Sequence, residues 1–169
     1  MRKFLQIAAL GLVSVAALSA CNKEDANKAA PQQPVAIELK MPADPANTQA
    51  WKAYLVDVVK RNMQGVTSRT PYMYFVPAGD DTAAQDARIN QLDNVKTVVA
   101  RTVLPGNMMA FGGPNSTLTA DLINDAFKDA QAGAFKGVIV LFVGAAADNE
   151  RVGAALALSG ATYRFVEMK

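Results

Sequence analysis

Histidine is missing from this 169-residue chain, and cysteine occurs once, at Cys21. Without imidazole there is no histidine general base, no His-assisted serine or cysteine nucleophile, and no zinc site built on imidazole. Both nucleotide fingerprints are also missing. Gly112-Gly113 lacks the G-x-G-x-x-G spacing, and no Gly-Lys-Ser/Thr phosphate loop occurs. Excess charge of one sign is small. The formal charge is +2, from 17 basic and 15 acidic residues. Nothing here favours nucleic acid, whose usual mark is a basic face or stripe.

What is present begins at the N-terminus. Arg2 and Lys3 precede an apolar run, Phe4 to Leu18, broken by Gln6, Gly11 and Ser14. That run is short for a spanning helix, which needs roughly 20 apolar residues, but it suits the h-region of a secretory signal. It closes on Leu18-Ser19-Ala20-Cys21. These four residues match the lipobox that ends such a signal, so the N-terminus resembles that of bacterial lipoproteins over about 21 residues.

The resemblance implies removal of 1–20 as a signal peptide and lipidation of Cys21, by diacylglycerol on its thiol and a further acyl chain such as palmitate on its amino group. Each buried methylene contributes about 0.8 kcal/mol, so two or three chains give a lasting attachment where one holds only marginally. The plainer alternative is an ordinary secreted protein in which Cys21 is incidental. With Cys21 consumed, no thiol remains for a disulfide, a metal or a nucleophile, and the fold must rely on its core. Loss of Arg2 and Lys3 brings the 17 basic residues to 15, level with the 15 acidic ones. Asn22 stands where an aspartate often signals inner-membrane retention, so the expected location is the periplasm-facing outer membrane in preference to the inner membrane.

Residues 21–45 read as the lipidated cysteine and a flexible tether, rich in Ala, Pro, Gln, Asn and charge and without aromatics. Within it Val35, Ile37 and Leu39 alternate with Ala36, Glu38 and Lys40, which is strand periodicity. Three readings stand: a short edge strand on the domain, a segment that orders only against a partner, or coil.

Residues 46–169 are enough for one domain with a single core. Asn47 or Thr48 caps a helix spaced by Trp51, Tyr54, Leu55, Val58, Val59 and Met63, stopped by Gly65. Tyr72 to Val76 is a continuous apolar strand. Thr82 and Gln85 form a capping-box pair opening a helix with Ile89, Leu92, Val95, Val98 and Val99. Met108 to Phe111 is a second strand. A third helix carries Leu118, Leu122, Ile123, Ala126 and Phe127, with Gly133 near its end. Val138 to Val143 is the most hydrophobic strand and is expected to be central. A small-residue helix runs from about Asp148 to Ser159, ended by Gly160, and Tyr163 to Met168 alternates like an edge strand.

This rhythm predicts a single three-layer α/β/α domain with a mostly parallel sheet of about four strands, with room for an extra N-terminal edge strand. Apolar strands without alternation want helices on both faces. The order taken is 2-1-3-4, with right-handed crossovers.

The first three strands end in similar turns. Gly79, Asp80 and Asp81 follow the first, Gly112, Gly113, Asn115 and Ser116 the second, Gly144 and Asp148 the third. A parallel sheet puts all three on one edge, where open α/β folds bind ligands and helix N-termini favour anions. Ordinary turn chemistry uses the same residues. Asp80, Asp81 and Asp148 could there bind a divalent cation or act as acid and base, although aspartate at a helix start is more often a cap. Ser116 and Ser159 have no evident base, and Lys136 precedes a strand where lysine is usually solvated. Met73, Met108 and Met109 are possible Cu(I) ligands by type, but their apolar neighbours make them core. Tyr72 and Tyr74 project opposite Met73, with Trp51 available to cover one of them.

The expected function is that of a membrane-anchored, non-catalytic module, held by lipidated Cys21, without cofactor, metal or nucleic acid. Its partner would be an envelope protein. The alternative is a small anionic-ligand-binding or weakly hydrolytic domain using the three turns.

Overall fold

The computed structural model describes residues 40–101 and 103–169. The expected signal segment, Cys21 and the alternating Val35, Ile37 and Leu39 lie outside the described residues. Four helices alternate with four strands: α1 (Thr48–Arg61), β1 (Tyr72–Phe75), α2 (Thr82–Ala100), β2 (Met108–Gly112), α3 (Ser116–Phe127), β3 (Ile139–Gly144), α4 (Ala146–Leu156) and β4 (Thr162–Glu167). A 3₁₀ turn, Ala157–Ser159, follows α4 and ends at Gly160, whose φ of 77° suits a residue without Cβ.

All three strand pairings are parallel, and the sheet order is β1-β2-β3-β4. The single α/β domain is as expected; the order 2-1-3-4 is not. Each strand adds beside its predecessor, so the chain steps across the sheet in one direction. Crossovers of one hand then place every connecting helix on the same face. A reversal after β2 would have divided the helices between faces, and nothing in strand composition distinguishes the two orders.

The two cores reflect this. On one face α2, α3 and α4 cover Tyr74, Met109, Phe111, Val140 and Phe142. On the other, α1 alone covers Met108, Ala110, Ile139, Leu141 and Val143 through Trp51, Tyr54, Leu55, Val58 and Val59. Strand residues alternate between these clusters, as a pleated strand dictates. Every residue of β2 and β3 is buried, the signature of interior strands with helices on both sides. Full burial of a side chain such as Phe111 or Phe142 contributes roughly 2 kcal/mol.

Trp51 accordingly does not cover either tyrosine. It meets Tyr54 edge to face on the α1 side, whereas Tyr74 stacks on Phe111 on the opposite face with ring centres 4.8 Å apart. Met108 and Met109 also face opposite cores, and both are fully buried. Met41 to Pro45, assigned by composition to the tether, carry bonds to the domain. Met41 N–H donates to the Lys169 carbonyl, and Trp51 Nε1 donates to the Asp44 carbonyl.

Helix ends differ in detail from the sequence reading. Asp81, rather than Thr82, caps α2, its carboxylate accepting from Ala84 N–H. Gln85 reaches back to the Asp80 carbonyl at 2.7 Å. α1 ends at Arg61 and is capped by Asn62, three residues before Gly65, and α3 ends at Phe127, well before Gly133. α4 starts two residues before Asp148, at Ala146.

Candidate functional site

The three turns do share the strand C-terminal edge, because the sheet is parallel. Their polar groups are engaged locally. Asp81 caps α2, and Asn115 caps α3 by accepting from Leu118 N–H at 3.1 Å. The first turn is held from behind by Arg88, which donates to the Pro77 and Gly79 carbonyls at 3.0 and 2.7 Å. Asp80 is exposed.

The second and third turns are joined. Ser116, the first residue of α3, is buried and donates its hydroxyl to Asp148 at 2.5 Å while accepting the Ala145 N–H at 2.7 Å. Arg151, one helical turn beyond Asp148, donates to it at 2.8 Å, to Asp121 at 2.6 Å and to the Thr117 carbonyl at 3.0 Å. Burial pushes the Asp148 pKa up, but the bonds from Ser116 and Arg151 and the nearby guanidinium outweigh it, leaving the carboxyl below its usual value. Asp148 is thus a charged brace between α3 and α4, and the Ser116 hydroxyl faces a carboxylate and an amide. Ser159 is likewise buried, donating to the Leu156 carbonyl, and Lys136 is exposed.

The glycines of these turns face protein. A Cβ at Gly113 would collide with the Val76 carbonyl oxygen, and one at Gly144 with the Phe142 ring and Ser116 Oγ. At Gly112 it would lie 2.9 Å from Leu55 Cδ1, and at Gly79 2.9 Å from Asp81 Oδ2. Among the described residues, no group of three or more Cys, His, Asp or Glu is placed to hold a metal. Asp80, Asp81 and Asp148 are therefore not assembled into one carboxylate cluster.

The most exposed apolar strand surface lies elsewhere, on β1. Tyr72 and Met73 are 42% and 37% exposed, whereas β2 and β3 are buried throughout. α1 sits over the middle of the sheet and leaves the β1 margin of its face open. Beside it lies a groove of about 450 Å³ lined by Thr48, Lys52, Met73, Phe75, Pro77, Ala87 and Gln91. A second hollow of about 240 Å³, between Lys52, Leu55, Val56, Met73 and Phe75, adjoins it. Neither lining contains a carboxylate, and the Lys52 ammonium stands 5.6 Å from the Phe75 ring centre.

The backbone of this margin is also defined. Val76 N–H donates to the Gly112 carbonyl and Phe75 pairs with Gly112, so even-numbered residues bond β2. The N–H groups of Met73 and Phe75 then face outward. Pro71 and Pro77, the outward positions on either side, have no N–H to offer. Among the described residues this edge is unpaired and two donors long.

Sequence reading singled out the turn residues and overlooked the arginines that hold backbone. Arg88 follows Gln85 by three residues and Arg151 follows Asp148 by three, a helical spacing that brings them over the preceding turn. Arg164, on β4, donates to the Asn62 and Gln64 carbonyls, a contact about 100 residues away in sequence with no local signal.

Comparison of the chain with protein-family models, with characterised proteins and with solved structures finds no match. Among the described residues, no helix is long and apolar enough to cross a membrane.

Proposed function

We propose that this chain is a lipoprotein of the bacterial envelope, held by lipidated Cys21 on the periplasmic side of the outer membrane, whose domain binds another envelope protein through the margin of β1. The observation that carries the reading is the exposure of Tyr72 and Met73 on a strand whose outer edge has no partner among the described residues, beside the apolar grooves of Met73 and Phe75. Interfaces are enriched in aromatic residues and methionine, and an exposed strand edge accepts an extended segment through its main chain.

The partner's segment is short, because only Met73 and Phe75 have outward N–H groups between two prolines. It is apolar where it enters the grooves, and it carries an acidic group for Lys52, which is the cation of a lining without carboxylates. Asp81, Asn115, Ser116 and Asp148 of the strand-end turns are occupied by caps, hydrogen bonds and an ion pair within the domain, which favours the β1 margin over an anion at the turns. The missing histidine fits a module that binds rather than catalyses.

Site-specific photocrosslinking in cells tests the assignment. A crosslinking side chain at Tyr72 should give one dominant adduct with another envelope protein, while one at Leu158, which is 77% exposed in the 3₁₀ turn after α4, should not. Equal, diffuse labelling from both positions would contradict it. Metabolic labelling with a fatty-acid analogue should mark the chain and be lost in Cys21→Ser.

A further inference from the structure

The end of the sheet away from the strand-end turns carries a cleft. α2 and α3 each run from the C-terminal edge of one strand back to the N-terminal edge of the next, so their last turns lie together at the strand N-terminal edge. Between these helix ends and the loop 129–134 is a hollow of about 350 Å³. That volume falls within the roughly 300–1,000 Å³ of small-molecule sites.

The floor of the hollow is apolar. Val99 and Ala126 are buried in the core beneath α2, α3 and α4, and Ala130 and Ala134 pack against that core. A surface of methyl groups accepts short aliphatic carbon. The loop wall is also fixed in place. Gly133 N–H donates to the Leu158 carbonyl at 2.9 Å and Phe135 N–H to the Ser159 carbonyl at 2.8 Å, while the Phe135 side chain is fully buried. A wall held in this way has little left to order on binding.

Three polar side chains join this floor in the lining: Lys96, Asp129 and Gln131. None of the three makes a hydrogen bond or ion pair among the described residues. At the strand-end turns the reverse holds, since Asp81, Asn115, Ser116 and Asp148 are all engaged within the domain. Lys96 is half-buried and Asp129 exposed, and the two do not close on each other although they line one hollow. Opposite charges kept apart around an apolar floor match a molecule that carries both signs. The carbonyl ends of α2 and α3 add partial negative charge for its cationic end. Arg101 and Lys128, which follow the two helices, are exposed and stand outside the lining.

We propose that this cleft binds a small aliphatic zwitterion, an amine and a carboxylate joined by a short carbon chain as in an amino acid. Lys96 Nζ takes the carboxylate, the Asp129 carboxylate takes the ammonium, and the Gln131 amide bonds either end. The carbon chain rests on the alanine floor. The cleft shares no residue with the grooves beside β1, so this inference and the reading of β1 stand or fall separately.

Amide-resolved NMR titration of the full chain tests the site. The probes are glycine, L-alanine, γ-aminobutyrate and L-alanyl-L-alanine, with butyrate and butylamine as singly charged controls. At least one zwitterion should give saturable shifts at Ala100, Ala130 and Gln131. It should bind about tenfold or more tightly than either control, since each control forfeits one charged contact. Lys96→Met and Asp129→Asn should each weaken that binding about tenfold and leave the rest of the spectrum in place. The singly charged controls use the unaltered chain and so do not depend on the variants folding. Absence of saturable shifts with all four zwitterions, equal binding of a control, or unchanged binding in either variant would overturn the proposal.

Discussion

The Ser116 hydroxyl is a bridge between the start of one helix and the body of the next: it gives its proton to Asp148 and accepts the Ala145 N–H. Two strand-end turns are locked together by one oxygen. The carboxylate it serves is further held by Arg151, which also reaches Asp121 and Thr117. Asp148→Asn should therefore destabilise the domain by about 2–3 kcal/mol at neutral pH, measured by urea unfolding, because charged hydrogen bonds are lost inside a mostly buried site.

The same carboxyl sets an acid-side dependence. Its folded pKa lies below its usual value of 3.8, so the unfolded chain binds the extra proton first. The stabilisation is complete above that value and is lost as pH falls through the folded pKa. Unfolding followed from pH 6 down to 2 should show this loss in the natural chain and less of it in Asp148→Asn. An unchanged slope in the variant would contradict the assignment.

Tyr74 carries a buried hydroxyl with no hydrogen-bond partner among the described residues. Tyr74→Phe should leave stability unchanged or raise it by about 1 kcal/mol, because it removes an unsatisfied group while keeping the ring on Phe111. Burial, with Tyr72 adding to it, pushes the Tyr74 pKa up to about 12 from 10.0. This contribution is present below pH 10 and lost as pH rises towards 12. The phenylalanine variant should show a shallower alkaline loss in thermal unfolding.

The turn glycines and a helix glycine should respond oppositely to alanine. Gly113→Ala drives a methyl into the Val76 carbonyl and Gly144→Ala drives one into Phe142. Each should cost about 2–3 kcal/mol or more. Gly153 lies within α4, where a Cβ would be 3.4 Å from the Tyr163 ring, so Gly153→Ala should gain up to about 1 kcal/mol from helix propensity. Equal effects at the three sites would contradict this account of the turns.

At the β1 margin, Met73→Lys should abolish the Tyr72 crosslink while leaving urea stability within about 0.5 kcal/mol, since Met73 is partly exposed. Loss of folding instead would make Met73 a core residue.

The alternation of helix and strand was legible because apolar spacing changes period at Tyr72, Met108 and Val138. The buried faces of α1 followed from Trp51, Tyr54, Leu55, Val58 and Val59, all of which are buried. Strand order was not legible, since Met108–Gly112 and Ile139–Gly144 both read as interior strands and either could neighbour β1. The turn residues were found for the right local reason, but sequence spacing did not show that Ser116 and Asp148, 32 residues apart, meet in space. The open β1 margin has a signal in hindsight: Pro71 and Pro77 flank β1 at positions where an interior strand would need N–H groups.

The account rests on β1 as a margin of the sheet left open among the described residues. Residue-resolved amide exchange on the full chain reads that margin directly. The account predicts fast exchange at Met73 and Phe75 beside slow exchange at Tyr74 and Val76, whose N–H groups face β2. Protection of Met73 and Phe75 without a partner, or exchange at Tyr74 and Val76 as fast as theirs, would contradict it.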